Sequence, residues 1–153
     1  MIPTSDELQI LLQEVIEERI PFNRVLGLSV ESFEMDQIQI RIGMRPELVG
    51  NFLRGNLHGG VISSILDVVG GMVAWLGVMK KMKDCPLEEM TERFSRVGTI
   101  DLRVDYLRPG LGDFFIGTGS IIRAGNKVTV VRMELHNNEE QMIAVGTGTY
   151  IVG

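Results

Sequence analysis

The run His58-Gly59-Gly60-Val61-Ile62-Ser63-Ser64-Ile65-Leu66-Asp67 opens the most apolar segment of the chain, and the state of that segment decides the fold. A helix of about 19 residues covers roughly 28 Å, enough to cross a bilayer. An acid at membrane depth is costly, however, and Ser63, Ser64 and Asp67 all fall inside the segment. The expectation is a buried central helix over 60–79, not a membrane span. Steps of three and four place Gly60, Ser63, Ser64, Asp67, Gly70, Gly71 and Ala74 on one face. Ile62, Ile65, Leu66, Val69, Met72, Val73 and Leu76 take the opposite face, which suits packing on a sheet. The small face either forms a narrow slot with one acid in its wall or serves close packing against another element. Asp67 favours the slot, because burying a carboxylate without a partner is unfavourable. The paired glycines leave backbone N–H groups bare at the positive end of the helix, where an oxygen gaining negative charge would be stabilised.

Outward from this helix the signals are those of strands. Upstream, 27–35 and 37–44 read as two strands, the second alternating Ile38, Ile40 and Ile42 with Gln39, Arg41 and Gly43. Residues 45–58 are punctuated by Pro46, Gly50, Asn51, Gly55 and Asn56 and read as irregular. Before them, Leu8, Leu11, Leu12, Val15, Ile16 and Ile20 keep a helical period over 5–20, which Pro21 ends. Downstream, the charged stretch 80–96 reads as a helical extension and a loop. Four strands follow at 97–107, 114–123, 127–136 and 142–152, separated by short turns that imply antiparallel pairing. The expected fold class is α+β: one domain over 1–153, with an N-terminal helix within 1–22, a central helix at 60–79 and a four-strand C-terminal half at 97–152.

Composition narrows the function classes. With 153 residues, 44% hydrophobic and 23% charged, the chain is long enough for a core without staples. Its one cysteine, Cys85, cannot form an internal bridge, and the start lacks the basic and apolar regions of a signal peptide. A cytoplasmic location is the simple expectation. His58 and His136 lie far apart with no metal-ligand spacing, so no metal is expected. A net charge of −5 argues against a broad nucleic-acid surface but leaves room for a local basic patch that holds an anionic small molecule.

The run from Asn51 to Asp67 resembles the PaaI-type branch of hotdog-fold acyl-CoA thioesterases, whose signature is a His-Gly-Gly followed seven residues later by an acid. Thr99-Ile100-Asp101-Leu102-Arg103-Val104-Asp105-Tyr106-Leu107-Arg108-Pro109 is similar to the next strand of that family, and the likeness spans roughly 24–152. The resemblance implies a hotdog fold, an antiparallel sheet of about six strands wrapped around the long helix. It also implies hydrolysis of acyl-CoA to free acid and coenzyme A, with coenzyme A as part of the substrate and no cofactor.

Residue by residue, the resemblance gives the Gly59 N–H to the thioester oxygen and makes Asp67 the nucleophile or the general base for water. Thr99 helps to place the water, and His58 supports the turn. The family has an Asn or Gln six residues before the His, where this chain has Phe52; Asn51 is one residue further out and Asn56 sits two before His58. Gly60 and Ser63 line the substrate site. Arg108, Arg123, Lys127 and, less centrally, Arg54 correspond to places where coenzyme A phosphates are gripped. The active sites would be shared within a homodimer, alone or as a dimer of dimers. Met79, Met82, Met90 and Phe94 in the long 77–96 connection either cover an acyl chain or belong to the core. The sequence is also similar to a proteobacterial medium- and long-chain acyl-CoA thioesterase branch, which points to fatty acyl groups. Two rivals are a hotdog enoyl-CoA hydratase or dehydratase, which pairs His with an acid, and a non-catalytic acyl-CoA binding protein.

Overall fold

A computed structural model describes residues 2–34 and 37–153. Helix α1 (Ser5–Glu14) starts at a capping box in which Thr4 accepts from the Glu7 N–H and the Glu7 carboxylate accepts from the Thr4 N–H. The expected helix over 5–20 changes character after Glu14: Val15–Arg19 forms one π-helical turn. Pro21 does more than stop that turn, since it opens a further short helix, α2 (Pro21–Leu26), at the position where a missing N–H costs nothing.

Strands β1 (Leu28–Glu34) and β2 (Gln37–Gly43) match the expected pair, except that Met35 lies outside the described residues. The 45–58 stretch holds more order than expected. A 3-10 turn (Pro46–Leu48) leads into a two-stranded hairpin of β3 (Val49–Asn51) and β4 (Asn56–Leu57). The central helix α3 (Gly59–Lys81) overruns its expected limits at both ends, and α4 (Leu87–Phe94) occupies the charged connection. The C-terminal half is β5 (Gly98–Tyr106), β6 (Phe114–Ala124), β7 (Val128–Asn137) and β8 (Met142–Ile151).

Six strands form one antiparallel sheet in the order β1-β2-β6-β7-β8-β5, so β5 is an edge strand bonded on one side to β8. The sheet wraps α3. Ile62, Ile65, Leu66, Val69, Met72, Val73 and Leu76, the large face expected from the sequence, are each no more than 5% exposed. They meet Ile38, Ile40 and Ile42 of β2 and Val131, Met133 and Leu135 of β7 in one core. Each such side chain contributes about 2 kcal/mol by leaving water. Among the described residues α3 is the one helix long and apolar enough to cross a membrane, and most of its apolar stretch is buried inside the fold.

Of the two readings open for the methionines of the long connection, Met79 and Met90 take the core: each is 1% exposed. Phe94 holds α4 down by a tilted ring contact with Trp75, with centroids 4.4 Å apart.

The small face of α3 has two functions, divided along its length. Toward its C-terminal half it packs closely. A Cβ added at Gly70 would lie 2.0 Å from the Tyr150 hydroxyl oxygen, and one at Gly148 would lie 2.7 Å from the same ring. Tyr150 therefore fills a slot that exists because both positions lack a side chain. Gly70→Ala is expected to cost about 1–3 kcal/mol by overpacking, seen as a lower urea midpoint. In a Tyr150→Ala background the same substitution loses most of that cost, because the clashing ring is gone.

Candidate active site

Asp67, on the second turn-pair of α3, is half-buried and meets two hydroxyls from different strands. The Thr99 hydroxyl of β5 donates to Asp67 Oδ1 at 2.9 Å, and the Tyr150 hydroxyl of β8 lies 3.2 Å from the same oxygen. Tyr150 also lies 3.3 Å from the Asp67 carbonyl oxygen. Burial, and then the charge of Asp67, push the Tyr150 phenol far above its ordinary range, so it remains a donor.

A backbone irregularity brings Thr99 there. Leu102 and Val104 pair with Gly148 and Gly146 and face α3, so plain alternation would send Ile100 inward and Thr99 outward. The register shifts between Thr99 and Asp101, which pairs Thr99 with the inward Tyr150 and leaves Ile100 54% exposed.

The carboxylate opens on a cleft of about 410 Å³ whose walls include Ile20, Phe22, Val68, Met72, Phe94 and Val97. An acid at the polar end of an apolar groove is suited to act on a reactive centre that carries a long apolar substituent.

Gly59 opens on a different cleft, about 390 Å³, lined by Asn51, Arg54, Asn56, Tyr106 and Arg108 among others. Here the N-terminal donors of α3 are nearly all spent. His58 caps the helix: its Nδ1 accepts from the Gly60 N–H at 2.8 Å, and its carbonyl accepts from Val61 and Ile62. With Nδ1 an acceptor, the ring proton sits on Nε2. The Gly59 N–H has no acceptor among the described residues. That one donor points out of the helix at its positive end. The Tyr106 hydroxyl donates to the Gly59 carbonyl at 3.0 Å and holds the first turn in place.

The remaining expected residues separate into two groups. Arg54 and Arg108 share the Gly59 cleft, and Arg108 also donates to the Met142 carbonyl at 2.9 Å. Arg123 and Lys127 flank the β6–β7 turn at the other end of the sheet, the end where Thr99 and Tyr150 pair. Lys81 anchors that turn by donating to the Gly125 carbonyl at 3.3 Å. Ser63 and Ser64 both donate to the Gly60 carbonyl, at 3.1 and 2.6 Å. Asn51 Oδ1 accepts from the Leu53 N–H at 3.1 Å and shapes the hairpin turn. Asn56 Oδ1, in contrast, is buried without a partner beside Gly59. Among the described residues no group of three His, Cys, Asp or Glu side chains is arranged to hold a metal ion.

Tyr150 and Tyr106 escaped the sequence reading. A signal for Tyr150 was present: it shares its parity on β8 with Ala144, Gly146 and Gly148, the bare positions that face the helix. The bulky residue at the end of a bare row marks where something must fill space next to α3.

A long helix wrapped by a six-stranded antiparallel sheet is the arrangement of a hotdog-fold protein, here with an acid on the helix and a free N–H at its start among the described residues. A family model described as the Thioesterase superfamily matches residues 54–144, and the chain belongs to that family. It is 46% identical to the medium/long-chain acyl-CoA thioesterase YigI of Escherichia coli strain K12 over 98% of this chain and 97% of that protein. A crystal structure from Shewanella oneidensis, of a protein related to the thioesterase superfamily, matches with TM-score 0.93 and 48% identity, covering 100% of both chains. A structure from Syntrophus aciditrophicus matches with TM-score 0.85 and 43% identity over 97% of this chain and 100% of the other.

Proposed function

We propose that this protein hydrolyses medium- and long-chain fatty acyl-CoA to the free acid and coenzyme A, in active sites shared between two copies of the chain. The observation that carries the reading is Asp67, fixed by two hydroxyls at the mouth of an apolar cleft in a member of the thioesterase superfamily. The Escherichia coli relative with a medium/long-chain acyl-CoA thioesterase name supports the acyl length.

In this reading Asp67 takes a proton from water, and the hydroxide oxygen attacks the thioester carbonyl carbon. The carbonyl oxygen becomes an oxyanion held by the Gly59 N–H. The C–S bond then breaks, and the coenzyme A thiolate recovers the proton. In the alternative course Asp67 attacks directly and a mixed anhydride is hydrolysed. A first-turnover product free of isotope, formed in labelled water, assigns attack to the carboxylate. Arg54 and Arg108 beside Gly59, and Arg123 and Lys127 on the turn, supply charge for the coenzyme A phosphates. A hydratase that pairs His58 with an acid fits less well, since His58 caps its own helix.

Position supports sharing between copies. Gly59 and Asp67 open on separate clefts of one chain, about 12 Å apart along the helix. The β5 edge, free on one side and carrying exposed Ile100, suits pairing with a second copy, either as a homodimer or as one half of a dimer of dimers. The single free cysteine, Cys85, agrees with a cytoplasmic setting.

An acyl-CoA panel assayed for released thiol tests the activity. A mixed dimer tests the sharing. Randomly paired Asp67→Asn and Gly59→Pro chains, each inactive alone, are expected to recover about a quarter of wild-type activity, because half the dimers hold one intact site of two. Verified mixed dimers without recovery would place each site within one chain.

A further inference from the structure

The hydrogen bonds around Asp67 are one-sided. Thr99 and Tyr150 both aim at Oδ1, and among the described residues Oδ2 has no partner. We propose that Tyr150 is a positioning residue: its hydroxyl, with that of Thr99, pins Oδ1 and turns Oδ2 toward the cleft as the reactive oxygen. The inference rests on the reading of Asp67 as the reacting acid and assigns a task within that site that the family resemblance did not supply.

Three observations carry it. First, Tyr150 cannot drift: it is 1% exposed and its ring fills the slot left by Gly70 and Gly148. Second, its single proton has two acceptors, Oδ1 at 3.2 Å and the Asp67 carbonyl at 3.3 Å. A carboxylate outcompetes a carbonyl for that proton, whereas a protonated acid does not. The hydroxyl therefore turns to Oδ1 when Asp67 is a carboxylate and holds that oxygen in place. Third, among the described residues that line the cleft Asp67 carries the one charged side chain, so no cation competes with the two hydroxyls for Oδ1. Asp101 on β5 is the other carboxylate whose charge reaches Tyr150.

Tyr150→Phe keeps the ring in its slot, deletes only the hydroxyl and frees the carboxylate to rotate. Expected are a fall in kcat of about tenfold and KM within about twofold. Thr99→Val deletes the other donor to Oδ1 at an exposed position and is expected to lower kcat in the same way with KM held. A packing role for Tyr150 alone would leave kcat unchanged in the Phe variant.

An unchanged kcat in the Phe variant, or an unchanged kcat in Thr99→Val should the Phe variant not fold, would overturn the proposal. Asp67→Asn run alongside separates the levels. If the Asn variant stays active, the catalytic reading of Asp67 has failed. If it is inactive while Tyr150→Phe behaves as wild type, only the role given to Tyr150 is lost.

Discussion

Asp67→Asn is expected to lower kcat for acyl-CoA hydrolysis by about three orders of magnitude, with the fold intact. The substitution is isosteric, and the amide oxygen still accepts from Thr99 at the place where Oδ1 now sits, so the pairing of β5 with β8 has no reason to change. What disappears is the charge. An amide neither removes a proton from water nor attacks a thioester at neutral pH. Released thiol is the measurement for activity, and a urea melt that matches wild type shows that the loss is chemical. An Asn variant retaining more than about a tenth of wild-type kcat would leave the mechanism without its base or nucleophile.

The second large effect is expected at Gly59. Proline there deletes one N–H and little else. Gly59 is the first residue of α3, a position that proline favours, and His58 before it has φ −61° and ψ 136°, the extended geometry that a following proline requires. A side chain at 59 would sit in ordinary contact with the Tyr106 ring, 3.4 Å away. The N–H that is lost had no acceptor among the described residues. Stability is thus expected to hold or to rise by about 0.5 kcal/mol through a stiffer unfolded chain. Activity is expected to fall about 100- to 1000-fold, the cost of removing one oxyanion donor. Such a split between Tm and kcat is the diagnostic result. A variant that is stable and fully active would mean that the oxyanion is held elsewhere.

Placing both groups required little beyond the sequence. Spacing alone put Asp67 on the small face of one helix and the Gly-Gly pair at its positive end, because both properties depend on helical periodicity and on the orphan donors of a first turn. The same periodicity correctly separated the buried face of α3, from Ile62 to Leu76. It could not say what the small face touches. Gly70 and Ser63 look alike in a pattern, yet one is covered by Tyr150 and the other lies on the first turns beside Gly60. The methionines of the long connection posed a similar problem: flexible apolar side chains suit a tunnel or a core, and only burial showed that Met79 and Met90 belong to the core.

The sequence by itself determined the order of the central helix and the six sheet strands, the α+β class, the faces of that helix and the two polar points along its first half, all of which are set by neighbours a few residues apart. The tertiary structure decided which residues complete the site. Thr99 and Tyr150 stand 32 and 83 positions from Asp67 and meet it only through the β5–β8 register. One shifted residue in that register reverses the inward and outward sides at the start of β5, taking Ile100 out and Thr99 in. Alternation in a strand is local, but the place where a ladder slips is settled by the whole pairing, so alternation over 98–106 could not turn Thr99 toward the acid, and Thr99 entered the expected site through the family resemblance alone.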